Sequence, residues 1–187
     1  MSHALLVGAT GMLADVALAL AGQGFDVSSL ARSPSSHARL RARVEAAGGR
    51  YEGFIVDYTD SEALDHALRA ASARFGPPAL AVAWVHGHAP RAPLQIAGLL
   101  AEADLHFVHV LGSASADPAR PDPGRRASFE AMAHVALYTE VVLGFVMGAR
   151  GARWLTDAEI CAGVLDAIAR AEPRRVVGQV RPWEARP

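Results

Sequence analysis

The chain contains no lysine and no asparagine, so all 18 of its basic side chains are arginines. Without lysine there is no Schiff-base chemistry, no phosphate-loop ATPase ending in Gly-Lys-Ser/Thr, and no kinase-type phosphate lysine. The single cysteine, Cys161, cannot form an internal disulfide, which points to a reducing compartment. No stretch approaches the roughly 18 to 20 uninterrupted apolar residues needed to span a bilayer. The opening run Ala4-Leu5-Leu6-Val7 is far shorter than a signal-peptide core and leads straight into a glycine turn. A basic stripe is missing too, and a net charge of -1 removes the attraction on which nucleic-acid binding depends. The expectation is a soluble, cytoplasmic protein acting on a small molecule, with no nucleic-acid or membrane partner.

What is present describes an ordinary globular chain. Its 187 residues, 51% of them hydrophobic, suit one domain spanning the whole length, because a chain of roughly 150 residues already buries about two thirds of its unfolded surface. Seven apolar runs read as strands: His3–Val7, Phe25–Leu30, Tyr51–Asp57, Ala79–His86, Leu105–Leu111, Glu140–Val146 and Arg175–Val180. Several are continuous rather than alternating, as strands buried on both faces are. Helical patterns lie between them at Met12–Gln23, Ser35–Ala47, Ser61–Phe75, Pro93–Ala103 and Thr156–Ala171, the last opening with a capping box. The Pro-, Gly- and Arg-rich stretch Ala116–Arg126 reads as a loop leading to a short helix near Ser128–Val135. Alternating strands and helices predict an α/β fold: a Rossmann-type, doubly wound, three-layer sandwich on a mostly parallel seven-stranded sheet.

The first predicted strand ends in Gly8-Ala9-Thr10-Gly11-Met12-Leu13-Ala14 and a helix follows, the setting that distinguishes a dinucleotide fingerprint from a chance pair of glycines. Gly8 permits the tight turn, Gly11 lets backbone approach a pyrophosphate, and Ala14 allows close helix-sheet packing. The helix start offers unpaired N–H groups to the anion. After the second strand stands Leu30-Ala31-Arg32-Ser33, with no carboxylate for the ribose hydroxyls. Arg32 and Ser33 suit a 2′-phosphate instead, which favours NADP(H) over NAD(H); the alternative is that Arg32 is a solvated loop residue. After the third strand comes Asp57-Tyr58-Thr59-Asp60, where a carboxylate can accept from an adenine amino group, while Thr59 or Asp60 serves as the next helix's N-cap.

In order and spacing these segments resemble the short-chain dehydrogenase/reductase family over nearly the whole chain. Gly8 to Ala14 looks like its glycine motif, with Thr10, Met12 and Leu13 in cofactor-facing positions, and Asp57-Tyr58 looks like its adenine contact. Val110-Leu111-Gly112-Ser113 resembles the fifth strand ending in the catalytic serine, and Leu143-Gly144-Phe145-Val146 the segment that touches the nicotinamide. Trp84-Val85-His86-Gly87-His88 occupies the place of the family's Asn-Ala-Gly turn beside the cofactor. The resemblance implies an NADP(H)-dependent oxidoreductase acting on a small C=O or C=N compound.

The family's Tyr-x-x-x-Lys relay is absent: Arg125 to Met132 holds no tyrosine, and the chain is shorter than the family's usual length. The proton then falls to other groups. Ser113 is placed to polarise a substrate; His86, with its imidazole, or Tyr138, an acid rather than a base, is placed to move the proton. His88 accompanies His86. His106 and His109 lie three apart on one strand and face opposite ways, so no metal set is assembled. Of the arginines at 120, 125, 126, 150 and 153, Arg153 stands nearest the expected nicotinamide segment. The segment Arg153-Trp154-Leu155-Thr156-x-x-Glu159-Ile160 also resembles one in a group of small bacterial proteins described generally as short-chain dehydrogenases. The rival readings are a catalytically silent dinucleotide-binding sensor or partner protein, and a non-redox isomerase or cyclase. A homo-oligomer stays open because the outer helices of this fold often pair.

Overall fold

The computed structural model describes residues 1–100, 104–112, 117, 122–132, 134–149 and 151–187. Strand β1 (His3–Val7) is covered on both faces, and period-two geometry divides it cleanly: Ala4 and Leu6 enter one core cluster, Leu5 and Val7 the other. It leads through the glycine turn to α1 (Ala14–Gly22) and β2 (Asp26–Ala31). Then follow α2 (Pro34–Ala46), β3 (Arg50–Ile55), α3 (Ser61–Phe75), β4 (Leu80–Trp84), α4 (Ala92–Leu99) and β5 (His106–Leu111). The described chain continues with α5 (Pro123–Glu130), β6 (Leu137–Leu143), a small hairpin of β7 (Phe145–Gly148) and β8 (Gly151–Trp154), α6 (Asp157–Arg170) and β9 (Arg174–Val177).

The main sheet has seven strands in the order β3-β2-β1-β4-β5-β6-β9, every neighbouring pair parallel. This is the Rossmann-type sandwich predicted above. The order reverses between β1 and β4, so the carboxyl ends of those strands flank the switch point where such sheets bind ligands. Core residues such as Leu5, Leu6, Leu20, Leu64 and Phe107 are fully buried, each contributing about 1.5–3 kcal/mol over exposure.

The structure departs from the sequence reading in the second half. The sixth strand is Leu137–Leu143 rather than Glu140–Val146. Gly144 ends it because the backbone there lies against Gln179, whose carbonyl would stand 2.1 Å from an added β-carbon; the strand formers beyond it pair in the hairpin instead. The short helix is Pro123–Glu130 rather than Ser128–Val135, since Asp122 accepts from the Arg125 N–H at 3.1 Å and Pro123 fills the first turn. Its Pro and Asp are helix-start signals, not loop signals. The last strand is Arg174–Val177, ended by Gly178 with φ +73°.

Candidate functional site

Gly8 carries φ +76°, and a β-carbon there would stand 2.5 Å from the Trp84 carbonyl oxygen, so the turn admits only glycine. Its N–H donates to the Leu30 carbonyl at 3.0 Å, and the Ala14 N–H closes the turn on the Gly11 carbonyl at 2.9 Å. A β-carbon on Gly11 would meet only open space. Leu13, the residue before α1, gives no side-chain cap, which leaves the helix N-terminus able to serve an anion. Its side chain is buried in the core, so only Leu13's backbone is on offer. The Cys161 thiol donates to the Met12 carbonyl at 3.0 Å and ties the turn to α6, a contact between residues too far apart in sequence to foresee.

Under this turn lies a cavity of about 330 Å³ bordered by Gly8, Thr10, Gly11, Met12, Ala31, Arg32, Ser33, Tyr58, Trp84 and His86. Its Ala31 wall is held from behind. The His37 Nε2–H donates to the Ala31 carbonyl at 3.1 Å, so Nδ1 accepts from the Tyr51 hydroxyl at 2.7 Å, and Tyr51 in turn accepts from Ser29 at 2.6 Å. Arg32 is well exposed and 3.9 Å from Asp57. Asp57 stands just outside the cavity; its carboxylate accepts from the Thr59 N–H and hydroxyl at 3.0 and 2.8 Å, which holds it below the usual carboxylate range. Ser33 accepts from the Ser36 N–H at 3.2 Å as the cap of α2, and Asp60 caps α3.

A second cavity of about 580 Å³ opens beyond the ends of β4 and β5, against α4 and α5. Trp84 and His86 border both cavities. A row of rings marks the boundary: Tyr58 stacks on His88 at 6.0 Å, His88 on His86 at 5.8 Å, and His86 meets Trp84 edge-on at 5.5 Å. At the far side His109 and Phe129 line the larger cavity, with Asp122, Arg125 and Ser128. Burial, with the Arg125 guanidinium nearby, lowers the His109 imidazole to about 3. The sequence reading weighed His109 only as a metal ligand and missed it here, although strand periodicity places it on one face with Phe107 and Leu111.

The structure brings together Gly8, Thr10, Gly11, Met12, Arg32, Ser33, Tyr58, Trp84 and His86. Tyr138 does not stand between helix and strand as the sequence suggested. It lies inside β6, 3% exposed, stacked on Phe129 at 4.2 Å and hydrogen-bonded to His109 at 3.0 Å, and burial raises its phenol pKa. Gly144 borders neither cavity and packs on Gln179. Arg153 is spent on Glu159, which it meets with two nitrogens at 2.8 Å each. With the reciprocal Thr156–Glu159 capping box, this makes the Arg-Trp-Leu-Thr-x-x-Glu-Ile segment a device for starting α6. Ser113, Arg120 and Arg150 lie outside the described residues.

Solved structures share this architecture. The chain has the short-chain dehydrogenase/reductase fold. It matches an NADH-dependent reductase A1-R′ complexed with NAD at a TM-score of 0.73 and 16% identity, over 95% of each chain. It matches an actinorhodin polyketide ketoreductase variant with NADPH at 0.68 and 14%, over 96% of each. A short-chain dehydrogenase/reductase from Serratia marcescens follows at 0.67 and 18%, over 89% of each. No family model and no curated protein matches the sequence. Among the described residues no helix is long and apolar enough to cross a membrane.

Proposed function

We propose that the protein is an NADP(H)-dependent oxidoreductase of short-chain dehydrogenase type, acting on a small C=O or C=N compound. The observation that carries this reading is the shared wall: Trp84 and His86 border both the cavity under the glycine turn and the larger cavity beside it. A dinucleotide held in the first would end where a substrate in the second begins. The residues present suit the cofactor. The turn's open space at Gly11 and the uncapped start of α1 fit a pyrophosphate, and exposed Arg32 with Ser33 fits a 2′-phosphate. Asp57 and Tyr58 flank the adenine side, and Gly144, away from both cavities, acts only by shaping β6. Similar structures were solved with NAD and with NADPH.

When bound, the nicotinamide supplies or accepts the hydride. Within the chain, Ser113 polarises the substrate oxygen or nitrogen and His86, on the shared wall, handles its proton. Tyr138 reaches the substrate only through His109. The partner is a small molecule, and the single buried Cys161 suits a cytosolic setting.

The test is titration of the purified protein with NADPH and NADH, followed by fluorescence and thermal shift, then a screen of small aldehydes, ketones and imines for NADPH oxidation. NADPH should bind more tightly than NADH and be consumed with at least one class. No binding of either cofactor overturns the reading. The missing Tyr-x-x-x-Lys pair favours one rival, a silent NADP(H)-binding sensor, which predicts tight binding with no hydride exchange.

A further inference from the structure

The far wall of the larger cavity carries a polar group that the cofactor reading leaves unused. His109 is 7% exposed and lines that wall. Its ring is packed by Phe107 at 6.2 Å and Phe129 at 5.8 Å, and its Nδ1 lies 3.0 Å from the Tyr138 hydroxyl. Tyr138 is 3% exposed, and among the described residues His109 Nδ1 is the one group in hydrogen-bonding geometry with its hydroxyl. Glu140, on the same face of β6, is turned instead to Arg126 at 3.4 Å and to Arg125 and Arg174 at 3.8 Å each. A buried donor left unpaired bears the full cost of its lost water, whereas a hydroxyl oxygen has lone pairs to spare. The Tyr138 O–H therefore donates to Nδ1, which puts the imidazole proton on Nε2. Nε2 has no hydrogen-bond partner among the described residues and is not sealed from solvent as Asp26 Oδ1 is, so it opens on the cavity as a donor. Burial keeps the ring neutral, down to about 3.

We propose that His109 is a specificity residue whose Nε2–H holds a second hydrogen-bond acceptor of the substrate, an uncharged ring ketone with that acceptor across the ring from the reacting carbonyl. The donor is neutral, so it selects an oxygen lone pair rather than a negative charge. Among the described lining residues that carry a formal charge are Asp122 and Arg125, paired at 3.3 Å, and Arg125 is also turned to Glu140. Those charges compensate each other and leave none for a charged substrate. Trp84, Leu94, Leu111 and Phe129 supply apolar surface for the ring.

Strand register places the second acceptor. Ala83 stands opposite His109 across the β4–β5 pair, and His86 comes three residues later. Three residues of extended chain rise up to about 10 Å, so the two imidazoles reach the cavity at separate levels. A ring with an oxygen at each end bridges such a span, and two oxygens on adjacent carbons do not. His86 keeps the proton of the reacting carbonyl, while His109 only donates to the remote oxygen and gives up no proton.

Reduction of the held ketone rests on the proposed function, whereas its recognition does not. The test uses the full chain and two probes closely matched in shape, 1,4-diacetylbenzene and 4-isopropylacetophenone, of which the second lacks the remote acceptor. By isothermal titration the diketone should bind about tenfold more tightly, the worth of one well-made hydrogen bond. His109→Leu should bring the two affinities together. In the ¹⁵N-labelled chain, long-range proton–nitrogen correlation should show the Nε2–H tautomer of His109 at neutral pH and a saturable shift of Nε2 on adding the diketone. Tyr138→Phe should leave a mixture of tautomers. Equal affinities in the unaltered chain, a preference that survives His109→Leu, or an Nδ1–H tautomer overturns the proposal; where His109→Leu does not fold, the affinity ratio and the tautomer of the unaltered chain decide. If the preference and the tautomer appear but NADPH is not consumed with the diketone, the recognition site stands and the redox reading falls.

Discussion

The indole of Trp84 lies over Gly112 so closely that a β-carbon there would stand 2.7 Å from the ring. The same residue's carbonyl confines Gly8 on the neighbouring strand. One residue at the end of β4 thus links, through its carbonyl and its ring, the glycine turn after β1 to the end of β5, across the switch point of the sheet. Gly112→Ala should displace the ring into the space between the two cavities, costing about 1–3 kcal/mol as an overpacked contact. Tryptophan emission should shift and NADPH affinity should fall; an unchanged spectrum and affinity would show that the ring does not set the junction.

Gly8→Ala meets a harder obstacle, because the neighbour is backbone and φ is positive. The left-handed conformation and the clash together should cost about 2–4 kcal/mol. Urea denaturation measures this directly, and cofactor binding should be lost even where the variant stays folded.

Arg32 has only a long ionic contact, 3.9 Å to Asp57, and is free to turn toward a phosphate. Arg32→Ala should weaken NADPH by about tenfold or more, the worth of a charge-assisted pair, and leave NADH affinity nearly unchanged. Equal losses for both cofactors would remove Arg32 from the 2′-phosphate site.

Burial lowers the pKa of His3, His106 and His109 below the ordinary imidazole value. The folded state then binds fewer protons than the unfolded one as pH falls through about 6.5. Stability should be greatest above that pH and decline toward acid, for His109 down to about 3, at up to about 1.4 kcal/mol per pH unit for each group. Denaturation curves between neutral pH and pH 5 check the sign; His109→Leu should flatten the slope.

Thr156 and Glu159 cap α6 reciprocally, and Arg153 clamps the same carboxylate, which stands at about 2 because of the Arg153 hydrogen bonds and the Thr156 N–H. Thr156→Ala should lower stability by about 1 kcal/mol. Arg153→Ala should also destabilise the fold without changing NADPH affinity. A selective loss of cofactor binding would return Arg153 to the functional site.

From β1 to β4 the elements were legible to within two residues at each end because their signals are local. β1 is bounded as read, α3 spans Ser61–Phe75 as read, and the capping box opens α6 where Thr156 and Glu159 predict it. Hydrophobic period, glycine at a strand end and polar caps each act within a few residues, so their physics is written in the order of the chain. The place of Tyr138 was not legible: the apolar run from Leu137 to Met147 reads through Gly144, and the break there is made by Gln179, more than thirty residues on. Nor was the surrounding of Glu140, whose arginines come from α5 and β9 and converge only when β6 takes its place between β5 and β9. Cys161 meeting Met12, and Trp84 pressing on both Gly8 and Gly112, have the same origin. Local sequence governs which element forms; burial, register and charge pairing between distant elements govern which side chains share a cavity, because those energies exist only after the sheet is assembled.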